Sequence, residues 1–391
     1  MMPHPAAAEL IARAEALLPM LRAQAQQCED LRRVPDETMS AMREAGFLKI
    51  LQPAEFGGYE LHPLDLYKVA RILARGCPST SWVTNLLAIH NWEVGLLDPR
   101  VAKTVWADNN NVALSSSYAP FGKVDAVEGG FRVSGRWPWS SGCDHATWAI
   151  LGGIARDASG QSDPRAFLIP ICDYEIDDTW HVIGLKGTGS KDIVVKDAFV
   201  PEWRTHRYAD SFMGTDPGTA HFTNPIYRYP FGVIFAYCLA AGTIGMAEGA
   251  IEEFRAQMAE RVGAYDGAKA IEDPFVQHRL AEADALVRGV VQRLEANFAE
   301  MDRFIDAGEP IPLAVRVRNK WDAQVIAKQS KDAVDLLFKA CGGRAIRQEN
   351  PMQRYFRDIH AASNHAFLNA DKGSLNAGLF ELSGVTRDLT L

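Results

Sequence analysis

The chain reads as a mostly helical α+β protein, helical at both ends with a small β unit between, and three observations predict it. Apolar residues recur at helical spacing through the first hundred residues. The texture then changes to short strand-like runs, and long helical stripes return near Pro230. The boundaries fall at 1–110 for an N-terminal helical domain, 111–210 for a middle β domain and 211–391 for a C-terminal helical bundle. With 391 residues, 47% of them hydrophobic, the chain buries more than one compact core holds, so a division into domains is expected.

In the first part Leu10, Ala14, Leu17, Leu18 and Leu21 mark one apolar stripe, and Leu64, Leu66, Val69, Ile72 and Leu73 mark another. Pro35, Pro53, Gly57, Gly58, Pro63 and Pro78 cut the pattern into separate helices. From about Asn111 to Arg207, runs rich in Val, Ile, Thr and aromatics alternate with Gly, Asp and Ser. Phe131 and Val133, for example, alternate with Arg132 and Ser134 after Gly129-Gly130. A barrel-like β domain is expected there. Beyond Pro230, Leu280, Ala283, Val287, Val290, Leu294 and Met301 line one helical face and Val317, Trp321 and Val325 another, which suits a four-helix arrangement.

A net charge of −8 and the lack of any Lys/Arg-rich run argue against nucleic acid or an anionic membrane as partner, leaving a neutral small molecule. The six cysteines lie far apart with no C-x-x-C pair, which fits reduced thiols in a cytoplasmic protein better than a zinc site or a disulfide framework. No export signal is expected, nor any unbroken apolar run of membrane-spanning length. Neither a G-x-G-x-x-G nor a phosphate-loop motif occurs, so a flavin would have to be held another way. With no H-E-x-x-H, and with His360 and His365 five residues apart, no metal is expected.

Two Ser-rich segments carry the sharpest local signal: Ser115-Ser116-Ser117-Tyr118 and Trp137-Pro138-Trp139-Ser140-Ser141. Hydroxyls clustered beside indoles offer hydrogen bonds and an apolar wall to a planar heteroaromatic ring. On spacing alone ordinary turn chemistry is the better reading of them. A histidine on a Trp-rich stretch, His90-Asn91-Trp92, likewise suits either a base or a hydrogen-bonded core residue.

The stretches Val182 to Ser190, Phe199-Val200-Pro201 and Cys341-Gly342-Gly343-Arg344 resemble landmarks of the acyl-CoA dehydrogenase superfamily. More specifically, the Ser-rich segments resemble the oxygenase components of two-component flavin-dependent aromatic monooxygenases, above all those acting on a steroid-derived phenol and on p-hydroxyphenylacetate. So do Trp82, the His90 run, Asp30 to Arg33, Leu51-Gln52-Pro53, Asp273-Pro274-Phe275 and Arg357-Asp358. The likeness covers nearly the whole chain. It implies the acyl-CoA dehydrogenase fold, with an N-terminal helical domain, a middle β-barrel domain and a C-terminal four-helix bundle.

It also implies hydroxylation of a phenolic ring by reduced FMN or FAD and O2 through a C4a-hydroperoxyflavin. The flavin would be supplied by a separate NAD(P)H-flavin reductase, and the assembly would be a homotetramer. Position by position, Trp82, Ser116, Ser117, Tyr118, Trp139, Ser140 and Ser141 would meet the isoalloxazine, with Ser141 beside N5. His90 and Ser116 would meet the substrate hydroxyl, His365 would lie over the reactive side of the flavin, and Arg228 with Phe231 would border flavin and substrate. Arg261 and Tyr265 would contact phosphate, and Gly343 and Arg344 the flavin tail, from a neighbouring helix or subunit.

The residue types suit that chemistry. Attack of a peroxide oxygen on an aromatic ring speeds up when the phenol becomes phenolate, and a neutral imidazole is suited to take the proton, so His90 is read as the base. A hydroxyl acceptor such as Ser141 and a dry wall of indoles would preserve the oxygenated flavin. Two alternatives stand. An acyl-CoA dehydrogenase-like oxidoreductase needs a carboxylate base late in the chain, where His360 to Phe367 offers none. A non-catalytic flavin-binding oligomer would leave the hydroxyl, tryptophan and histidine set without a use.

Overall fold

Two of the prolines that cut the N-terminal pattern, Pro63 and Pro78, do so by starting the next helix. In the computed structural model, which describes residues 5–157, 159–263 and 267–391, Pro63, Pro78, Pro99, Pro274 and Pro351 each open a helix. A missing N–H there leaves no bond unmade. Asp98, Asp273 and Asn350 cap the helices that follow them, accepting from backbone N–H groups two residues on at 2.8–3.0 Å.

The N-terminal helices are α1 (Pro5–Leu31), α2 (Asp36–Glu44), α3 (Pro63–Gly76), α4 (Pro78–Val94) and α5 (Pro99–Val105). The strands follow as β1 (Leu114–Ser117), β2 (Lys123–Val127), β3 (Gly130–Ser140), β4 (Trp148–Arg156), β5 (Ser162–Pro170), β6 (Tyr174–Asp177), β7 (Lys191–Pro201) and β8 (Thr205–Arg207). They form two four-stranded sheets, ordered β1-β4-β5-β8 and β2-β3-β7-β6. Together the two sheets make up the β unit expected between the helical parts. Among the described residues only the β1–β4 pair is parallel, with Ser116 opposite Ile150. The sheets enclose a core of their own, centred on Trp137, Phe131, Phe167, Val133 and Ile193.

The C-terminal part holds α6 (Tyr208–Met213), α7 (Phe231–Glu260), α8 (Pro274–Asp306), α9 (Leu313–Cys341), α10 (Pro351–Ser363) and α11 (Ala370–Ser383). Its apolar faces merge with those of α1, α3 and α4 into one continuous cluster, so the helices at the two ends of the sequence share a core. At its centre lies α7, packed against α3 and α9. By length and composition α7 is apolar enough to cross a membrane, which corrects the expectation that no such run exists; yet 94% of its most apolar window is buried within the fold. A helix apolar all round is what the centre of a bundle requires.

The C-terminal tail closes over the start of α7. A Cβ added at Gly232 would lie 1.7 Å from the carbonyl oxygen of Thr390. Gly232→Ala is therefore expected to lift the tail, at about 1–3 kcal/mol for forced overpacking. The check is a lower thermal midpoint together with faster proteolysis of the last residues.

Candidate active site

Every residue of α4 from Pro78 to Val94 is buried, polar ones included, so each polar group there needs an internal partner. The Asn91 amide donates to Leu48 and Gln52, the Trp92 indole donates to the carbonyl of Ile226, and Ser81 donates to Ala70. This anchoring leaves Leu86 and His90, one turn apart on the same helical face, to line a cavity of about 280 Å³. Opposite them stand Ser116, Ser117 and Tyr118 at the end of β1, with Trp139 and Ser141 at the end of β3. Phe231 and Phe235 of α7, His365 to Phe367 and Thr390 complete the walls.

A bulge in β3 shapes one side. Its register against β7 shifts between Trp137 and Ser140, and Trp139 takes a left-handed backbone with φ +67°. A bulky residue held there signals a local constraint, of the sort found beside binding sites. The result is an indole 59% exposed at the cavity mouth, edge-on to Phe121. Just beyond the bulge Ser141 Oγ pairs with Ser190 Oγ at 2.7 Å, Ser190 pairs with Thr188 at the same distance, and the Trp82 indole donates to Ser141 Oγ at 3.3 Å.

The two histidines that line the cavity sit in different settings. His365 Nδ1 accepts from the backbone N–H of Phe367 at 3.2 Å, so the ring proton belongs on Nε2 and the ring presents a donor. Burial lowers its pKa to about 4, so it is neutral at physiological pH. His90 stacks on Phe235 and places Nδ1 3.3 Å from Glu93 Oε2 and 3.2 Å from the Tyr118 hydroxyl, which itself donates to Glu93. The far oxygen of Glu93 meets His206 Nδ1 at 2.7 Å. Burial alone would raise the Glu93 pKa, but hydrogen bonds from His206 and His90 bring it down to about 2. Burial alone would likewise lower His206, but bonds to Asp216 and Glu93 lift it to about 10.

These shifts fix the sign of a pH dependence. His365, depressed from its usual 6.5 to about 4, contributes stability that is present above 6.5 and lost as pH falls through 4, because the unfolded chain takes the proton first. His206, raised to about 10, contributes stability that is full below 6.5 and lost as pH rises through 10. The thermal midpoint is therefore expected to be highest near neutrality. Substituting His365→Asn should flatten the acid arm and His206→Gln the alkaline arm in a melting series across pH.

The donor set fits a flavin ring: several hydroxyls and an indole at a largely apolar slot, with no carboxylate among the described residues that line it. Comparison with known proteins agrees. Residues 13–94 match the family model for the acyl-CoA dehydrogenase N-terminal domain, and residues 237–370 that for the C-terminal domain. The chain is 40% identical over 94% of its length to the flavin-dependent monooxygenase oxygenase subunit HsaA of Rhodococcus jostii, covering 97% of that protein. It is 32% identical along its full length to the p-hydroxyphenylacetate 3-hydroxylase oxygenase component of Acinetobacter baumannii, covering 92% of it. The crystal structure of 3-HSA hydroxylase from Rhodococcus sp. RHA1 superposes with a TM-score of 0.94 at 39% identity, covering 98% of this chain and 99% of that one. The chain belongs to the flavin-dependent monooxygenase oxygenase components.

Within this oxygenase, Ser116, Ser117, Tyr118, Trp139, Ser141, His90, His365 and Phe231 are brought to one cavity, and Trp82 reaches it through Ser141 and by an edge contact with His365. Ser140 is not; its hydroxyl donates to Ser115 inside the β unit, as strand alternation requires of Ser141's neighbour. Arg228 is also absent from the lining, for its guanidinium donates to the carbonyl of Ile305 at the end of α8. Arg261, Gly343 and Arg344 share a separate open cleft, where Arg261 donates to the carbonyls of Ala340 and Cys341; Tyr265 lies outside the described residues.

Glu93, His206, Asp216, Ser190 and Thr188 belong to the site without being among the residues expected from the sequence. His90 and Glu93 at i,i+3 on one helix were a usable signal, and Thr188-Gly189-Ser190 stood within a landmark that was assigned no role. His206, 113 residues from Glu93, had none. Two larger clefts, one around Arg71, Glu248 and Arg255 and one around Arg165, Glu202 and Arg207, are lined by charged side chains and lack the serine hydroxyls of this cavity.

Proposed function

We propose that this oxygenase hydroxylates a phenolic ring, with His90 accepting the phenol proton. The observation that carries the reading is the pairing, in one small cavity, of His90 backed by a buried carboxylate with the Ser141 hydroxyl chain on the other side. Trp82, Ser116, Ser117, Tyr118, Trp139 and Ser141 would hold the isoalloxazine of reduced FMN or FAD. When bound, the reduced flavin supplies the electrons that activate dioxygen, and one oxygen atom passes to the ring.

The chain's own contributions follow from its residues. Phe231, Phe235 and Phe367 wall the substrate ring and keep water out. His90 removes the hydroxyl proton, making the ring electron-rich, and Ser116 hydrogen-bonds the same oxygen. Ser141, tied to Ser190 and Trp82, holds a proton at the flavin's N5 edge. His365 presents its Nε2–H to the reacting oxygen. Among the described residues no lining carboxylate offers the base that a dehydrogenase reaction needs, which favours oxygenation over that rival.

The flavin arrives reduced from a separate NAD(P)H-flavin reductase, and the chain assembles as a homotetramer. Self-association is supported by α11, which buries no residue of its own and leaves Leu375 and Leu382 at 74% and 91% exposure. The Arg261–Arg344 cleft, sharing no residue with the cavity, suits the flavin tail of a neighbouring subunit. The test supplies the protein with NADH, a flavin reductase and FMN or FAD, and offers resorcinol, p-hydroxyphenylacetate and a multi-ring phenol. Hydroxylated product from at least one is expected; flavin oxidation yielding only hydrogen peroxide across the panel would refute the reading. Sedimentation velocity checks the assembly.

A further inference from the structure

Behind the cavity wall lies a cluster of charged side chains that no step above uses directly. Glu93 and His206 have side chains 1% exposed, and Asp216 is 8% exposed. They come from three separate places: Glu93 from α4, His206 from β8, and Asp216 from the loop after α6. Around them stand Tyr118 and His90 on the Glu93 side, Ser211 of α6 on the Asp216 side, and the rings of Tyr208 and Phe231 packed edge-on against His206.

The hydrogen bonds determine who carries each proton. Ser211 donates its one proton to Asp216 Oδ1 at 2.8 Å, so its oxygen can only accept from His206 Nε2, 2.6 Å away. Glu93 as a carboxylate also only accepts, and His206 Nδ1 lies 2.7 Å from it. Both nitrogens of His206 therefore bear hydrogen, and the ring is an imidazolium between two carboxylates. On the other side of Glu93, Oε2 faces Tyr118 and His90 Nδ1 together. The tyrosine gives its proton to the carboxylate, so His90 must also present an N–H there. Its Nδ1 is protonated, and Nε2, with no hydrogen-bond partner among the described residues, keeps a lone pair.

We propose that Glu93 and His206 are positioning residues that hold His90 in its Nδ1–H tautomer, so that Nε2 is the proton acceptor offered to the cavity. This rests on reading His90 as the base. Two carboxylates and one imidazolium leave one net negative charge beside a neutral His90. When His90 takes a proton at Nε2 from the substrate hydroxyl, the O–H bond breaks, the electron pair stays on the phenolate oxygen and the cluster becomes neutral. The total charge of the site is unchanged, one negative charge now resting on the phenolate, and the transfer is favoured because the carboxylate facing Nδ1–H stabilises the positive charge that His90 gains. Without the imidazolium, Glu93 would be an unpaired buried carboxylate that takes up a proton itself and ceases to direct His90.

The test reads protons directly, without depending on any substrate. Protein labelled with 15N at its histidine rings is examined by long-range 1H–15N correlation at pH 8, with His90→Gln and His206→Gln assigning the signals. Expected are a doubly protonated ring that vanishes in His206→Gln and a single Nδ1–H tautomer that vanishes in His90→Gln. In Glu93→Gln, His206 should become neutral at pH 8 and His90 should lose its single tautomer. If Glu93→Gln does not fold, Asp216→Asn is expected to neutralise His206 in the same spectra. A neutral His206 at pH 8 in the wild type, or His90 as the Nε2–H form, would overturn the proposal.

A second arm uses the phenol of the panel that the wild type hydroxylates. Glu93→Gln should lower kcat roughly 10- to 100-fold with KM little changed, and Glu93→Asp should recover part of the loss. A fall confined to KM would also overturn the proposal. Should no phenol be hydroxylated, the functional reading fails while the ring-proton spectra still decide the positioning role.

Discussion

His90→Ala is expected to cut hydroxylated product by about 10²–10⁴-fold, the range over which a positioned base accelerates proton transfer. The substitution should leave the flavin walls standing, because His90 contributes a ring to the α4 side of the cavity while the hydroxyls come from β1 and β3. Reduced flavin should therefore still be oxidised by dioxygen, with its electrons appearing as hydrogen peroxide instead of product. The loss should shrink as pH rises toward about 10, the ordinary range of a phenol hydroxyl, because the substrate then ionises without help. Product per NADH consumed, followed from pH 7 to 10, is the measurement. A variant as well coupled as the wild type at pH 7 would remove His90 from the role of base.

Ser141→Ala is expected to act on the other side of the cavity. It removes the acceptor that the Trp82 indole donates to and one of the two hydroxyl partners of Ser190, which keeps only Thr188. A hydrogen bond left unmade in such a site is worth about 1–3 kcal/mol, or roughly a 5- to 150-fold faster leak of hydrogen peroxide. Quantifying peroxide against product with a limiting pulse of reduced flavin reads this directly. An unchanged ratio would show that the hydroxyl holds no proton that matters. The thermal midpoint should move little, since the indole stays packed between α4 and His365.

The two variants also locate the reach of the sequence. Local composition marked the Ser-rich segments, because hydroxyls clustered beside indoles are unusual, and the family resemblance singled out His90. It could not tell Ser140 from Ser141. That choice depends on the bulge at Trp139, which turns one hydroxyl toward Ser115 and the other toward the cavity. The resemblance placed Arg228 at the site together with Phe231, yet a helix end some eighty positions later offers its guanidinium a carbonyl, and of the two Phe231 alone lines the cavity. The spanning length of α7 was missed because isolated glycines and a threonine interrupt the apolar letters without adding charge.

By itself the sequence determined the order of helical, β and helical parts, and through its near-complete likeness to known oxygenases it determined the family and the flavin chemistry. Periodicity and composition are properties of neighbours along the chain, and those survive without coordinates. Only the tertiary structure decided that the two helical ends share one core, that α7 runs through its centre, and that Glu93, His206 and Asp216 converge behind His90. Buried charges tolerate burial only when partners from distant segments arrive together, and that meeting is set by packing, which no local pattern records.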